Sequence, residues 1–274
     1  MHGIGNDFVL IDGFTFEVGN LDWFKLAPKI CARHFGVGAD GVILLRQGDN
    51  APLRMQMFNP DGSEAEMCGN GIRCLARFAE SLGRFSGSQV AIETKSGVKV
   101  AELLPNGQVR IDMGRGDLSR GASHMTGVPE DWCLEQPFEA DGKTWLGSVC
   151  STGNPHLVVF SDDVANLPLE SVGPALERHP SFLERVNVHF AQVLSPSHVL
   201  QRTWERGAGI TLGCGTGACA VAVIATELGR AESPVRVSLP GGDLIIEVDL
   251  DRNIRMIGPA ETVYEGELDL RTTE

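Results

Sequence analysis

The sequence predicts an α+β fold made of two pseudo-symmetric domains from an internal duplication, each a mixed or antiparallel sheet or barrel wrapped around a central helix. Cys68 and Cys214 each stand directly before Gly-x-Gly and a helical run of small residues, 146 positions apart in a chain of 274. A Gly-Asn pair recurs at an offset of 148, as Gly5-Asn6 and Gly153-Asn154. Landmarks repeated after about half the chain indicate two copies of one unit. Strand patterns predominate around one such helix per half, which favours the α+β class.

The first half begins with a short apolar strand at 8–11. Apolar residues at helical spacing predict a helix over 21–34, which His34-Phe35-Gly36 ends. The helix that follows Cys68 has an apolar face, so we expect it in the middle of a sheet or barrel. The other predicted elements are strands at 42–45, 53–58, 89–94, 98–104 and 108–113, with a turn at 59–62.

The second half repeats this order after a segment at 115–129 that is rich in Gly and Ser and is interpreted as the link between the halves. A second buried helix is predicted over 218–229 and a shorter one near 168–178. Two hairpins close the chain, one over 235–249 and one over 254–268. The remaining predicted strands lie near 144–150 and at 157–160, 187–194 and 198–205.

Composition limits the function classes. The formal net charge of −13 argues against a nucleic-acid or anionic-membrane partner. No apolar run approaches 18 residues and no signal peptide is recognisable, so no membrane association is expected. Seven cysteines without a CxxC motif make a disulfide scaffold an improbable reading and favour a reducing cytoplasm.

The two cysteine motifs carry the chemistry. A helix N-terminus presents unpaired N–H groups and the positive end of the dipole, and both favour a thiolate. The same amides can hold a carboxylate or the enolate charge that develops from it. Two such motifs in pseudo-symmetric copies predict a racemase or epimerase, in which one thiolate removes an α-proton and the opposite thiol returns one. Such chemistry needs no cofactor, and no pyridoxal-phosphate or metal site is predicted.

The cysteines have three other interpretations: inert packing, a zinc site and a disulfide. Buried cysteines are most often inert packing, which is the reading for Cys31, Cys74, Cys133, Cys150 and Cys219. A zinc site made by Cys68, Cys74, Cys214 and Cys219 does not fit, because their spacings are not those of a zinc knuckle. A disulfide between Cys68 and Cys214 is conceivable on oxidation.

Polar residues cluster near the same landmarks. His156 follows the second Gly-Asn, and Glu205-Arg206 precedes Cys214 by the nine residues that separate Asn59 from Cys68. A histidine and a glutamate can keep one sulfur ionised and the other protonated, and an arginine suits a carboxylate. Neutral donors and acceptors for a zwitterionic ligand are expected from Asn6, Asn59, Asn70, Asn154 and Asn187.

Six motifs together resemble the diaminopimelate epimerase family: HGIGNDF, GVGADG, FNPDGSEAEMCGNGIRC, GNPH, ERGAG and CGTGACA, which span residues 2–220. The resemblance implies a pyridoxal-phosphate-independent isomerase that interconverts LL- and meso-2,6-diaminopimelate. It implies lysine and peptidoglycan-precursor synthesis in the cytoplasm, and a homodimer. It also implies an N-terminal half of 1–115 plus 261–274, a C-terminal half of 116–260, and an active site in the cleft between them.

The family's functional residues carry over by motif. Cys68 and Cys214 are the acid/base pair, with Cys68 assigned as donor, Cys214 as acceptor, and roles that exchange with reaction direction. His156 and Glu205 are expected to tune the cysteine pKa values. The expected substrate-binding residues are Asn6, Asn59, Gly69, Asn70, Asn154, Asn187, Glu205, Arg206, Gly215 and Thr216.

Two features depart from the family pattern. A glutamine that contacts substrate in many bacterial members is replaced here by Gly41, so a backbone group or water is expected to take its place. Met1 directly precedes His2, where the family usually has several residues that form a first strand. The missing strand is expected to weaken the first domain without changing the chemistry of the site.

Three alternative functions were considered. A cofactor-independent racemase of the proline racemase type also uses paired cysteines before glycines, but its pocket is expected to be smaller and more apolar. A phenazine-biosynthesis-type isomerase does not retain the cysteine pair. A non-catalytic amino-acid binding protein is disfavoured because both cysteines are present.

Overall fold

The computed structural model describes residues 1–269, which form two compact units. The first unit comprises Met1–Asp112 and the segment that begins at Gly258, and the second comprises Met113–Ile257. Strands outnumber helices in both units, which confirms the predicted α+β class. Within residues 1–269, no helix is long and apolar enough to cross a membrane.

The elements that begin in the first unit are β1 (His2–Gly3), β2 (Asn6–Asp7), β3 (Val9–Asp12), α1 (Trp23–Cys31), β4 (Val42–Gln47), β5 (Leu53–Phe58), β6 (Glu64–Ala65), α2 (Gly69–Ser81), β7 (Gln89–Thr94), β8 (Gly97–Leu103) and β9 (Val109–Arg115).

The elements that begin in the second unit are β10 (Gln136–Ala140), β11 (Lys143–Ser151), β12 (Pro155–Phe160), α3 (Leu169–Glu177), β13 (Asn187–Ser195), β14 (His198–Glu205), β15 (Gly209–Thr211), α4 (Gly215–Glu227), β16 (Val235–Leu239), β17 (Gly242–Val248) and β18 (Asn253–Gly258).

The topology of the two units is the same. In the first unit the strand order is β9-β8-β7-β5-β4-β3, with β6 paired to β5. In the second it is β10-β11-β12-β13-β14-β16-β17-β18, with β15 paired to β14. The parallel pairs also correspond, since β3–β4 and β5–β7 match β12–β13 and β14–β16. Apart from the β1–β2 hairpin of the first unit and the additional β10 and β11 of the second, the second unit repeats the first element by element, which confirms the internal duplication.

The central helix of each unit is buried. Nearly every residue of α4 from Gly215 to Ala225 is inaccessible to solvent, and the helix is apolar all round, as expected of a helix enclosed by a sheet. Helix α2 is buried over Gly69–Ala76 and again at Ala79, and its C-terminal turn is more exposed. These are the two helices that begin directly after Cys68 and Cys214.

A second, shorter helix in each unit covers the other face of the sheet. In the first unit, α1 packs with Val42, Leu44 and Phe58 in one apolar cluster. Because strand side chains alternate between faces, the intervening Ile43 of β4 points the opposite way, toward Gly71 of α2. In the second unit, α3 packs in the same manner in a cluster to which β10, β12 and β13 each contribute two buried residues.

Three predicted elements are wrong in part. The predicted second strand of the last hairpin, at 261–268, does not form. Within it only Glu261 pairs, in an isolated bridge to His2. The Gly- and Ser-rich segment at 115–129 is not a free link: it lies in the second unit, where Met125 is buried and pairs with Phe182. The first helix is shorter than 21–34, since it begins after Asp22 and ends at Cys31.

A buried carboxylate anchors the loop after β3. Asp12 Oδ2 accepts hydrogen bonds from Thr15 Oγ1 (2.6 Å) and from Arg84, and Oδ1 accepts one from the Phe14 N–H (3.1 Å). Burial raises the pKa of Asp12, but these hydrogen bonds and the Arg84 charge together hold it below the ordinary value of 3.8. The ionised form is therefore favoured in the folded state.

We expect Asp12→Asn to lower the free energy of unfolding at pH 7 by about 1–3 kcal/mol, as for a hydrogen-bonded buried charge. Because the folded pKa is lowered, this stabilisation is present above the unfolded pKa and is lost as pH falls through the folded one. Urea denaturation of both proteins between pH 7 and pH 3 measures it. Asp22→Asn, which removes a surface pair with Lys25, is the matched control and should change little. A wild-type advantage that does not shrink in acid contradicts the argument.

Candidate functional site

Cys68 caps the buried N-terminus of α2. Its backbone is extended (φ −139°, ψ 117°), and its Sγ accepts a hydrogen bond from the Gly71 N–H at 3.4 Å. The same sulfur lies 3.7 Å from Asn6 Oδ1, to which the thiol donates. The sulfur is therefore held between one donor and one acceptor, so it has partners suited to either protonation state.

Asn6 is fixed by a carboxylate that sequence reasoning did not assign. Asn6 Nδ2 donates to Asp40 Oδ2 at 2.8 Å, and Asn70 Nδ2 donates to Asn6 Oδ1 at 3.3 Å. Arg33 in turn pairs with Asp40 and Asp7 at 3.0 Å each. Asp40 belongs to the GVGADG motif, so the motif itself was the signal. The structure thus brings Asn6, Cys68 and Asn70 together through one amide oxygen.

Arg73 was also missed, although it lies inside the predicted helix. Its guanidinium is fully buried and donates to Asn70 Oδ1 (2.8 Å), Gly69 O (3.1 Å) and Pro259 O (3.1 Å). A charged residue next to the apolar positions of a buried helix was the available signal, because such a charge needs several partners. Arg73 fixes the Asn70 side chain and ties the segment after Gly258 to α2.

Asn59 and Gly41, the two other positions of the first unit considered in the sequence, lie apart from this hydrogen-bond network. Asn59 follows β5 and closes its turn, with Nδ2 donating to Ser63 Oγ at 3.0 Å. Gly41 offers no side chain, and a Cβ there would lie 3.0 Å from Phe58 O. Its carbonyl accepts a hydrogen bond from the Val9 N–H at 3.0 Å. The position is tightly packed, so no side chain extends from it.

Cys214 occupies the corresponding place before α4, with a similar extended backbone (φ −110°, ψ 103°). Its Sγ lies 3.6 Å from Thr216 Oγ1, and its thiol is hydrogen-bonded to the Glu205 carboxylate. Thr211 Oγ1 donates to Glu205 Oε1 at 2.6 Å and so orients that carboxylate. The predicted Cys214, Glu205 and Thr216 therefore form one group.

Opposing effects act on the pKa of Cys214. Burial raises its pKa well above the ordinary 9.0, and the negative charge of Glu205 raises it further. Hydrogen bonds from Thr216 and from the Gly217 N–H lower the pKa but do not compensate. Burial and a neighbouring carboxylate therefore oppose the helix N-terminus, which by itself favours a thiolate.

His156 is completely buried on β12 and is neutral. Burial lowers its pKa well below 6.5, and the neighbouring His189 ring and the charge of Arg206 lower it further. Its Nε2 lies 2.8 Å from Asn154 Oδ1, an acceptor, so Nε2 carries the proton. Nδ1 then has the lone pair and accepts from His189 Nε2 at 2.8 Å. The tautomer of His156 is thus set by its two neighbours.

His189, Gln201 and Thr203 complete a buried polar chain that sequence reasoning did not find. His189 Nδ1 lies 3.0 Å from Thr203 Oγ1 and 3.1 Å from Gln201 Nε2. Burial lowers the pKa of His189 to about 3, so its ring is neutral as well. The signal was a period of two: polar residues at 187 and 189 and at 201, 203 and 205 alternate with mainly apolar ones in two neighbouring strands.

Asn187 and Arg206 border this chain. Asn187 stands opposite His156 in the β12–β13 register, donates to Pro155 O at 3.0 Å and accepts the Arg206 N–H at 3.0 Å. The Arg206 side chain is exposed, and its Nη1 donates to Glu184 O at 3.1 Å. The backbone of this loop is therefore fixed while its guanidinium reaches solvent.

Glycine is required where α4 begins. A Cβ at Gly217 would lie 2.1 Å from His189 Cε1, so the first turn of α4 rests directly on the imidazole ring. The two Gly-Asn landmarks also share a conformation: Gly5 has φ 82° and Gly153 has φ 100°, a region that favours glycine. Both turns aim an asparagine amide at the site of their own unit.

The five remaining cysteines are packing residues, as predicted. All are buried, and burial raises the pKa of Cys31 to about 11 and that of Cys74 to about 12. Each unit thus places one thiol at the N-terminus of its central helix, surrounded by neutral amides in the first unit and by imidazoles and a carboxylate in the second. This arrangement can give and take protons while amide N–H groups hold an anion.

Solved structures share the fold at low sequence identity. A hydroxyproline epimerase from Agrobacterium vitis has a TM-score of 0.66 at 15% identity, with 94% of this chain and 86% of that one covered. A probable proline racemase from Agrobacterium radiobacter also has a TM-score of 0.66 at 15% identity, with 98% and 92% covered. A phenazine biosynthesis protein from Bacillus anthracis has a TM-score of 0.63 at 15% identity, with 94% and 92% covered.

Sequence comparison is more specific. The family model described as diaminopimelate epimerase matches residues 1–118 and 148–263. The diaminopimelate epimerase of Moorella thermoacetica is 46% identical over 275 residues, which are 98% of each chain. Diaminopimelate epimerase 1 of a Nostoc species is 47% identical over 272 residues, 97% of each chain. With matches of this extent and with a cysteine at the start of each central helix, the chain belongs to the diaminopimelate epimerase family.

Proposed function

We propose that this protein interconverts LL- and meso-2,6-diaminopimelate by moving a proton between the two faces of one α-carbon. The observation that carries the proposal is the repeated thiol: Cys68 and Cys214 each cap a buried central helix in a chain of this family. Two thiols supply both the acid and the base, so the reaction as written needs no cofactor.

The proton balance assigns complementary states to the cysteines. The thiolate removes the α-proton, the negative charge passes to the substrate carboxylate as an enolate, and the other thiol returns a proton to the opposite face. The cysteines then hold exchanged protonation states, so each serves as donor in one direction and acceptor in the other. The raised pKa of Cys214 supports a protonated Cys214 in the unliganded enzyme, which makes Cys214 the donor in one direction. The assignment of Cys68 as donor and Cys214 as acceptor then describes the opposite direction.

Helix N-termini supply the anion site. The first turns of α2 and α4 present backbone N–H groups at Gly69-Asn70 and Gly215-Thr216, close to the two sulfurs. Such groups bind a carboxylate and gain strength as charge develops on it. We assign these four residues to the reacting carboxylate of the substrate.

The second amino-carboxylate end of the substrate needs its own contacts. Arg206 has five N–H donors and uses one on Glu184 O, which leaves donors for a bidentate carboxylate contact. The amides of Asn6, Asn59, Asn154 and Asn187 are the proposed neutral partners of the remaining groups. His156 and Glu205 are assigned to the tuning of Cys214, the carboxylate through its hydrogen bond and His156 as a neutral imidazole close to the sulfur.

The biological setting follows from this activity. We propose that the enzyme works in lysine and peptidoglycan-precursor synthesis in the cytoplasm, and that it forms a homodimer. The rival substrate is a cyclic amino acid such as proline. Two solved structures of the same fold are named a hydroxyproline epimerase and a probable proline racemase. Arg206 and the asparagine set favour the longer substrate, since proline has no second carboxylate to bind.

The proposed reaction is tested by isotope exchange. We expect the reduced protein, incubated with LL-diaminopimelate in D2O without added cofactor, to replace the α-proton with deuterium as the meso isomer forms. Proton NMR follows both changes, and proline under the same conditions is the control substrate. Exchange with proline and none with diaminopimelate would contradict the proposal and support the proline racemase alternative.

Removing either thiol should stop the reaction. Cys68→Ala and Cys214→Ala each delete one acid/base group, so we expect epimerisation to fall by at least about 10²–10⁴-fold. Cys133→Ala is the matched control, because Cys133 is a buried cysteine, as Cys214 is, but lies outside the site. Steady-state rates on both isomers measure the effect. Near-normal turnover by either site variant would rule out the two-cysteine mechanism.

Glu205 and Thr216 should shift the pKa of Cys214 in opposite directions. Glu205→Gln removes a negative charge that raises this pKa, so half-maximal alkylation of Cys214 should move to lower pH. Thr216→Val removes a hydrogen bond that lowers the pKa, so the same midpoint should move to higher pH. Iodoacetamide labelling across a pH series, read by mass spectrometry with Cys68 as internal reference, measures both. Shifts of the same sign in the two variants contradict this assignment.

A further inference from the structure

Three side chains around α4 form a set of metal-binding type. His156, His189 and Cys214 each offer one ligand atom, and the three atoms lie within 4.8 Å of one another. All three residues are buried. Nδ1 of His156 faces Nε2 of His189 at 2.8 Å, with Cys214 beside them at the N-terminus of the helix. This set shares only Cys214 with the four-cysteine zinc site that the sequence excluded.

The outer nitrogens of both histidines are already held. Nε2 of His156 lies 2.8 Å from Asn154 Oδ1, and Nδ1 of His189 lies 3.0 Å from Thr203 Oγ1. Histidines that bind metals characteristically donate their other ring N–H to an oxygen, which fixes the ring and the tautomer. Both imidazoles are therefore anchored from behind, and their facing nitrogens lie 2.8 Å apart, within 4.8 Å of the Cys214 sulfur.

The donor types select the ion. Two imidazole nitrogens and one thiolate suit Zn²⁺ and Co²⁺ and do not suit Mg²⁺ or Ca²⁺, which prefer oxygen ligands. Tetrahedral Zn²⁺ with bonds of about 2.0–2.1 Å separates two nitrogens by roughly 3.3 Å, so each ring has to move by a few tenths of an ångström. The Glu205 carboxylate, hydrogen-bonded to Cys214, is placed to balance the charge of a bound cation.

We propose that His156, His189 and Cys214 bind a divalent cation of the Zn²⁺ class, and that this ion inhibits the enzyme by holding Cys214 as a metal-bound thiolate. The Cys214 proton leaves to solvent. The proton on His189 Nε2 is replaced by one on Nδ1, so Nε2 gains a lone pair. Thr203 Oγ1 accepts the new hydrogen bond, and the Gln201 amide rotates so that Oε1 rather than Nε2 faces Nδ1. His156 Nδ1 already has one. The inhibition rests on the proposed function of Cys214, whereas the binding does not.

Cobalt spectroscopy tests the binding without reference to activity. The reduced, metal-free full chain is titrated with Co²⁺ under anaerobic conditions. We expect one Co²⁺ per chain, with a thiolate-to-cobalt charge-transfer band in the near ultraviolet and tetrahedral bands in the visible. Cys214→Ser should abolish the charge-transfer band, and Cys68→Ser should retain it. Absence of the band in the wild type up to millimolar Co²⁺ overturns the proposal, as does a band that persists in Cys214→Ser.

Two further variants separate ligation from simple packing. His189→Gln removes a ligand, so Co²⁺ affinity should fall by more than about 10-fold, and Thr203→Val removes the outer support of His189, so affinity should fall by about 10–100-fold. Circular dichroism confirms that each variant is folded. Because Thr203→Val leaves all three ligands in place, it keeps the test decisive if His189→Gln does not fold. Unchanged affinity in the folded variants means that the two histidines only hydrogen-bond each other and overturns the proposal.

Inhibition is measured separately. Zn²⁺ should inhibit epimerisation, excess EDTA should restore it, and the Zn²⁺ concentration for half-inhibition should rise by more than about 10-fold in Thr203→Val, relative to the uninhibited rate of that variant. Full activity at a Zn²⁺ concentration that saturates the site overturns the inhibitory role. If the protein has no epimerase activity at all, the proposed function fails, and the cobalt titration still decides whether the metal site exists.

Discussion

A helix that begins inside a protein core leaves N–H groups that no residue of the helix can satisfy, and this constraint governs both sites. Most residues in the first turns of helices α2 and α4 are buried, so solvent has little access to these N–H groups. A cysteine precedes each helix, and glycines in the first turn let a ligand approach the backbone. In the proposed function an anionic substrate binds these N–H groups, so binding and folding satisfy the same set of donors.

The two sites share a backbone but differ in polar support. Around Cys68 the partners are amides, held by the Asp40 carboxylate and the Arg73 guanidinium. Around Cys214 they are the Glu205 carboxylate and two buried, neutral imidazoles. A duplicated fold thus carries two unlike proton environments. Such a difference is useful for a reaction that needs one protonated and one ionised group at the same moment.

The sequence was sufficient to predict the architecture because the duplication presents the main helix and strand patterns twice. The α+β class, both central helices and most strands followed from periodicity, since a buried helix of small residues such as α4 and strands of alternating pattern such as β5 have distinct patterns. The second arm of the last hairpin did not follow. Its alternating pattern predicts a strand, but pairing depends on a neighbour at the right distance, and only Glu261 has one.

For the site, the motifs identified residues, but they did not give the protonation states of these residues or the side chains that hold them in place. Cys214 was found by its glycines, yet its protonation depends on burial and on Glu205, which only the fold brings to it. His189 and Asp40 were missed because each acts through a partner distant in sequence, His156 and Asn6 respectively. Arg73 was missed because a buried charge inside a helix is recognisable only once its carbonyl acceptors are located. Periodicity reports which face a residue occupies, and it does not report what stands opposite.

The buried chain from Gln201 through His189 and His156 to Asn154 has a direction. Every hydrogen in it points from the glutamine end toward the asparagine end, because Asn154 Oδ1 accepts only. Gln201 Oε1 is buried and has no hydrogen-bond partner among the described residues, so this oxygen gains a partner if the amide rotates by half a turn and accepts a hydrogen bond from an N–H at His189 Nδ1. No single ring can reverse its own proton without leaving two donors or two acceptors face to face. The four side chains therefore behave as one polarised unit with two opposite orientations. A reversal that begins at Gln201 changes the hydrogen bond at Asn154, on the far side of both imidazoles.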